Sequence, residues 1–200
     1  MYQPRRTAAH SYSHILRRLA VVWVGLAALV LLSCVGEARS KQATLDKRDL
    51  QPSAIRVLVG QVVRVVDGDT IYVLDESRSR HKIRLAGIDA PERKQPYGLA
   101  SREHLASLVA AKSVTIEYAK HDRYGRIVGK VWIDGVDACL EQIKAGLAWH
   151  YKKYRREQDP GDRVLYAQAE IQARSQRIGL WQETNPKPPW KFRRLYRSRS

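Results

Sequence analysis

The stretch VDGDTIYVLDESRSRHKIRLAGIDAPE, residues 66–92, decides the fold of this 200-residue chain. β-Branched and apolar runs alternate here with turn residues, and this pattern predicts three consecutive strands. The predicted strands are residues 62–66, 70–74 and 83–88. Strands that follow one another so closely are expected to pair as antiparallel neighbours.

Acidic side chains gather at one end of this predicted sheet. Antiparallel pairing about a turn near Arg78 places Asp69 opposite Gly87 and Asp67 opposite Asp89, with a register uncertain by about two residues. Two unit charges about 4 Å apart repel by about 4 kcal/mol at an effective dielectric near 20. Such a cluster persists only with a cation, with protonation or with arginine partners, so a site is predicted. Its members are Asp67, Asp69, Asp89 and Glu92.

The composition indicates one domain of ordinary size with tails, and an anionic partner. The formal net charge is +16 at pH 7, and 44% of the residues are hydrophobic, enough for a core. A charge of this size favours nucleic acid or an anionic membrane. Cys34 and Cys139 are the two cysteines, and neither lies at metal-ligand spacing, which argues against structural zinc. Cys139 is predicted to be a small buried hydrophobe in a helix.

The amino-terminal segment, residues 1–38, resembles an export signal. Arginines precede an apolar run at 19–32, which is shorter than the roughly 20 residues that span a bilayer. Cleavage after Ala38 would leave an exported protein, periplasmic or secreted. A retained membrane anchor and a lipid on Cys34 are the alternatives. Residues 39–53 are polar and are predicted to be a linker.

The remaining patterns predict two further strands and three helices. Five strands with a helix between the third and fourth match an OB-type β-barrel, so the fold class is α+β with a domain at 54–185. The tail at 186–200 is basic and proline-rich, and disorder is favoured over a nucleic-acid-binding strip. The added strands are 114–118 and 127–133, and the helices are 97–111, 136–148 and one from Asp159-Pro160 to near Gly179.

Four motifs within residues 61–181 resemble the staphylococcal-type thermonuclease family. They are Asp67-Gly68-Asp69-Thr70, Ile83-Arg84-Leu85 with Ile88-Asp89-Ala90-Pro91-Glu92, Asp122-Arg123-Tyr124-Gly125-Arg126, and Ala145-Gly146-Leu147-Ala148. Singly each motif is weak, but together and in order they are specific. The resemblance implies the nuclease-like OB barrel and hydrolysis of phosphodiester bonds in DNA or RNA.

Hard oxygen ligands at Asp69 and Asp89 suit calcium or magnesium, and a larger, flexible shell favours calcium. The resemblance also implies calcium, with the main-chain carbonyl of Ala90 as a further ligand. Asp67 is assigned to the turn or to a supporting position.

The resemblance assigns the catalytic and substrate-binding roles as well. Glu92 corresponds to the glutamate that activates water, and Arg84 and Arg126 to the arginines that hold the phosphate. An arginine inside an apolar strand independently indicates an anionic neighbour for Arg84. Tyrosines expected to flank the nucleotide are Tyr124, Tyr151 and Tyr154.

The leading hypothesis is an exported, calcium-dependent nuclease. The alternative is a non-catalytic OB-fold protein that binds nucleic acid, and a basic envelope protein is a third possibility. Retention of both carboxylates and both arginines favours the enzyme, because a binder has no use for acidic groups that repel phosphate. No obligate protein partner is implied, and contact with a membrane is expected only through the amino-terminal segment.

Overall fold

The computed structural model describes residues 54–197. The predicted signal or anchor, the linker and Cys34 therefore lie outside the described residues. Within the described part, no helix has the length and apolar character needed to cross a bilayer.

A closed β-barrel forms the body of the domain. The main sheet runs in the order β3-β2-β1-β5-β6-β7, and a parallel pairing of β3 with β6 closes it. A separate two-stranded sheet pairs β4 with β8. The predicted OB-type barrel of five strands with helices is confirmed. The strands are β1 Arg56–Asp67, β2 Thr70–Asp75, β3 Arg80–Leu85, β4 Ile88–Asp89, β5 Ser113–His121, β6 Ile127–Ile133, β7 Val136–Asp137 and β8 Trp149–His150.

The β2–β3 register differs from the prediction by two residues. Thr70 pairs with Arg84, and the backbone N–H of Leu85 donates to the carbonyl of Asp69 at 2.8 Å. The predicted pairs Asp69 with Gly87 and Asp67 with Asp89 are therefore wrong. The hairpin centres on Ser77 because Leu74 pairs with Arg80.

The side chain of Asp75 holds that hairpin turn. Its carboxylate accepts hydrogen bonds from the Ser77 hydroxyl at 2.7 Å and from the Ser79 backbone N–H at 2.8 Å, and it contacts the His81 ring at 2.7 Å. These bonds, with His81 foremost, lower the pKa of Asp75 to about 2. Because the folded pKa is depressed, the stabilisation is present above the ordinary pKa near 4 and is lost as pH falls through about 2.

Replacing His81 with asparagine should raise the pKa of Asp75 toward its ordinary value, because the largest cause of the shift is removed. A carboxyl-carbon NMR titration measures this directly. His121→Asn is the matched control, because the His121 ring contacts Tyr118 rather than Asp75. An unchanged titration curve in the His81 variant would show that the turn hydroxyl and amide suffice.

Four α-helices surround the barrel within the described residues. The prediction for residues 97–111 is confirmed within two residues, and Asp159 caps α3 as predicted, its carboxylate accepting from the Gly161 N–H at 2.7 Å. The second helix is shorter than predicted because Asp137 ends β7 and caps α2. The helices are α1 Gly98–Val109, α2 Ala138–Lys144, α3 Pro160–Ser175 and α4 Pro189–Arg197, with 3-10 turns at Lys152–Glu157 and Gly179–Gln182.

The packed face of α3 is not the predicted one. Val164, Leu165 and Ile171 are about half exposed or more, whereas Ala169 is buried. The buried positions are Tyr166, Ala169, Glu170 and Ala173. Small side chains bring this helix close to its neighbours, and the large aliphatic residues point outward.

Cys139 is fully buried, as predicted, and burial raises the pKa of its thiol. It belongs to the main core together with residues of the barrel strands and of α1, α2 and α3.

The tail is ordered where disorder was predicted. Residues 189–197 form α4, and Trp190 packs against the small aromatic cluster of Trp149, Leu180 and Trp181. The prediction of a disordered tail is wrong for this segment, because tertiary contacts offset its proline-rich, basic composition.

Candidate active site

Arg84 organises the polar cluster. It lies on β3 between the buried residues Ile83 and Leu85, and its side chain is 14% exposed. Its Nη2 donates to Asp89 Oδ1 at 2.9 Å and lies 3.1 Å from Asp69 Oδ2. Its Nη1 donates to the Leu85 carbonyl at 3.0 Å. One guanidinium therefore joins the two carboxylates that were predicted as metal ligands.

The two carboxylates are rigidly held. Asp69 Oδ2 accepts the backbone N–H of Ala90 at 2.7 Å, and Asp69 Oδ1 accepts the Thr70 hydroxyl at 3.0 Å. Asp89 is completely buried on β4, which pairs with β8. Both aspartates contact the same Arg84 nitrogen, so they lie within a few ångströms of each other. The structure thus brings together Asp69, Arg84, Asp89 and Ala90.

Electrostatic strain among the carboxylates is visible in their pKa values. Burial, then repulsion from Asp69, raises the pKa of Asp67 to about 7. Burial also raises the pKa of Asp89, although Arg193 and Arg84 oppose this rise. For Arg84, burial disfavours the charge, but attraction to Asp69 and Asp89 outweighs it and raises the pKa. The acidic cluster therefore persists through arginine partners and through easier protonation of Asp67.

Gly68 allows the acidic turn to approach the helices. A Cβ at this position would lie 1.8 Å from Ser101 Oγ and 2.8 Å from Ala90 Cβ. The Gln142 side-chain amide donates to the Gly68 carbonyl at 2.6 Å and to the Ser101 carbonyl at 3.0 Å. Close packing, rather than an unusual backbone angle, requires glycine here. The Asp67 carboxylate completes the turn by accepting the Asp69 N–H at 3.1 Å, as its assignment to the turn anticipated.

Glu92 follows β4 and reaches the same cluster through an arginine that the sequence did not single out. Arg193 Nη1 donates to Glu92 Oε1 at 2.6 Å, and Arg193 Nη2 donates to Asp89 Oδ2 at 2.7 Å. Arg193 thus joins the predicted general base to a predicted metal ligand. The signal available in the sequence was the basic and aromatic character of the tail, which did not locate it.

Arg126 stands apart from this cluster. It precedes β6, whose Val128 pairs with Arg84, so side-chain alternation places Arg126 and Arg84 on the same barrel face. The separation from Val128 is about 7 Å along the strand. The Arg126 Nε donates to Asp122 Oδ2 at 2.7 Å within its own turn. The structure therefore orients Arg126 toward that face but does not bring it to the carboxylates.

The three predicted tyrosines lie at separate places. Tyr124 is 63% exposed beside Arg126, whose guanidinium carbon is 5.6 Å from the ring centroid. Tyr154 is exposed, with Lys120 and Lys153 near its ring. Tyr151 lies closest to the carboxylates, because its backbone N–H donates to the Gly87 carbonyl at 2.8 Å. Their predicted role in substrate binding stays a prediction.

The donor set fits a hard divalent cation in chemistry, though not as a ready-made cage. Asp69 and Asp89 offer buried carboxylate oxygens, which calcium and magnesium prefer. Across residues 54–197, the acidic, histidine and cysteine side chains do not gather in groups of three that could hold a metal. Further ligands would have to be carbonyls, such as that of Ala90, or water.

A closed barrel with this cleft of carboxylates and guanidiniums defines an OB-type α+β domain. The chain belongs to the staphylococcal nuclease family, since the family model "Staphylococcal nuclease homologue" matches residues 82–183.

Similar proteins carry nuclease descriptions. An Escherichia coli protein described as "Uncharacterized endonuclease" is 49% identical over 135 residues, covering 67% of this chain and 84% of the relative. A Shigella flexneri "Micrococcal nuclease" is 42% identical over 144 residues, covering 68% of this chain and 80% of the relative. The Escherichia coli "Protein ParB" is 38% identical over 148 residues, with 68% and 80% covered.

Proposed function

We propose that this chain is a calcium-dependent nuclease that hydrolyses phosphodiester bonds of DNA or RNA. Family membership and the nuclease relatives support the nuclease activity. The observation that carries the chemistry is the convergence of Asp69 and Asp89 on one nitrogen of Arg84. A net charge of +16 supports a polyanionic substrate.

Arg84 is suited to meet the phosphate. Cleavage builds negative charge on the phosphoryl oxygens, and a guanidinium fixed before the reaction stabilises that charge without reorganisation. An arginine has five N–H donors, so it can keep its carboxylate contacts and still donate to a phosphate oxygen. Arg126, on the same barrel face, is positioned to hold a second part of the substrate backbone.

Glu92 is suited to act on water. Its side chain is 38% exposed, so water reaches it, while Asp89 beside it is fully buried. A carboxylate in this position accepts a proton from the attacking water as general base. This step requires that Arg193 leave Glu92 at least one oxygen available to that water.

Asp69 and Asp89, with the Ala90 carbonyl, would hold the calcium ion. When bound, calcium would supply Lewis-acid stabilisation of the charge that develops on the phosphate. The protein residues fix the geometry: Thr70 and the Ala90 N–H orient Asp69, and Arg84 orients Asp89.

Digestion of single-stranded DNA and RNA tests this function. We expect cleavage with calcium, weak or no cleavage with magnesium, and loss of cleavage with a chelator, recovered on adding calcium back. Cleavage that is indifferent to the chelator would overturn the metal mechanism. Salt-dependent binding without cleavage under any of these conditions would identify the chain as a binding protein instead.

The proposal includes export through residues 1–38. An arginine-containing segment ahead of a short apolar run supports it. Fractionation of cells that express the full chain should recover the protein outside the cytoplasm, and Leu26→Arg, which interrupts the apolar run, should retain it inside. Equal distribution of both proteins would contradict export.

A further inference from the structure

Arg193 occupies the carboxylates that the proposed reaction needs. Its Nη2 donates to Asp89 Oδ2 at 2.7 Å, and its Nη1 donates to Asp89 Oδ1 at 3.2 Å and to Glu92 Oε1 at 2.6 Å. We propose that α4 is an internal inhibitor whose Arg193 competes with the divalent cation for Asp89. This inference rests on the proposed function, since it takes Asp89 as a cation ligand and Glu92 as the base.

The competition follows from the use of the Asp89 oxygens. Arg84 and Arg193 both donate to Oδ1, and Arg193 also donates to Oδ2. A cation binds a carboxylate through the same lone pairs, and it carries the same sign of charge as the guanidinium. Two positive groups at this spacing repel strongly in a site sheltered from water. Asp89 can therefore serve Arg193 or a divalent ion, but not both in this geometry.

A second contact region holds α4 in place. The Trp190 ring lies 5.6 Å from Tyr151, tilted by 32°, and 5.6 Å from Trp149 in an edge-on arrangement. The Gln95 side-chain amide donates to the Lys187 carbonyl just before α4. The helix is thus docked through apolar and polar contacts on either side of the guanidinium. These contacts raise the local concentration of Arg193 at the carboxylates.

The docking is nevertheless reversible by design of its contacts. The side chains of Arg193 and Glu92 are 35% and 38% exposed, so their ion pair is screened by solvent. Lys191, Arg194 and Leu195 are exposed on the same helix. A cation that must displace this helix binds more weakly than it would to an open site, in proportion to the docked fraction.

Calorimetric titration of the full-length protein with calcium chloride tests the competition without measuring cleavage. Arg193→Gln should bind calcium about tenfold more tightly than the wild type. Arg194→Gln is the matched control, because it removes the same charge from the adjacent, exposed position of α4. It should bind calcium with wild-type affinity within about twofold.

Trp190→Ala provides a second variant that leaves the carboxylates and Arg193 intact. Undocking of α4 should tighten calcium binding by about threefold or more. In the wild type, hydrogen exchange of the α4 amides should speed up when calcium is added, since the helix is displaced.

The outcomes separate the inference from the proposed function. Equal calcium affinity in wild type, Arg193→Gln and Trp190→Ala, with α4 exchange unaffected by calcium, would overturn the competition and leave the calcium-dependent nuclease standing. If none of the proteins binds calcium, both the competition and the metal mechanism are overturned.

Discussion

Replacing Arg84 with glutamine should lower the cleavage rate by about a hundred- to a thousand-fold, because a preorganised donor to the phosphate is lost. It should also destabilise the domain by about 3–5 kcal/mol, because Asp69 and Asp89 would be left buried without their shared partner. Chemical denaturation measures the second effect, and single-turnover cleavage at a temperature where the variant is folded measures the first.

Arg80→Gln is the matched control for Arg84. Arg80 lies on the same strand but is exposed, where its guanidinium carbon is 4.9 Å from the Tyr72 ring centroid. Its loss should cost at most about 1 kcal/mol, the range of an exposed cation–π contact. Calcium should restore more stability to the Arg84 variant than to the wild type, because it supplies the missing positive charge. Wild-type stability and activity in Arg84→Gln would contradict the central role given to this residue.

Replacing Glu92 with glutamine should lower the maximal cleavage rate by about a hundred- to ten-thousand-fold, the usual contribution of a general base. Folding stability should change by no more than about 1 kcal/mol, because the Glu92 ion pair with Arg193 is partly exposed. This combination, a large rate effect with a small stability effect, distinguishes Glu92 from Arg84. Steady-state kinetics and thermal unfolding on the same samples measure both.

Glu103→Gln is the control for Glu92, because it removes an exposed carboxylate from α1. It should leave both the rate and the stability unchanged. If turnover of the Glu92 variant matches that of this control, water activation must be assigned to another group, and the roles of Asp69 and Asp89 would remain open to the chelation test.

The barrel was predictable because its signals are local. Alternating β-branched residues gave the bounds of β6, 127–133, without error. The β2–β3 register was off by two residues because a turn closed by the Asp75 side chain moved the hairpin centre to Ser77. Side-chain hydrogen bonds of this kind are invisible to a pattern of apolar and polar residues.

The carboxylates and Arg84 were predictable for a similar reason. Asp69 and Asp89 follow turn and strand signals within one stretch of the chain, and an arginine between Ile83 and Leu85 demands an anionic neighbour. Arg193 was not predictable, because it lies 101 residues from Glu92 and reaches it only through the docking of α4.

The face of α3 shows the same limit from the packing side. Hydrophobicity alone selects Val164, Leu165 and Ile171, yet the helix buries Ala169 and Glu170. Glu170 can be buried because its carboxylate meets Lys152 at 2.7 Å and Arg174 at 3.3 Å. Partners distant in sequence therefore decide which side of this helix faces inward.

The parallel pairing of β3 with β6 has a consequence for when the cleft exists. This seam joins residues 44 positions apart in the chain, such as Ile83 and Ile127, and it places Arg84 on one edge with Arg126 at the start of the other. Long-range pairs of this kind form late, after the entropy of loop closure has been overcome. A newly made chain therefore has no assembled phosphate-binding groups until the seam is sealed, and cleaving power should emerge in step with completion of the barrel.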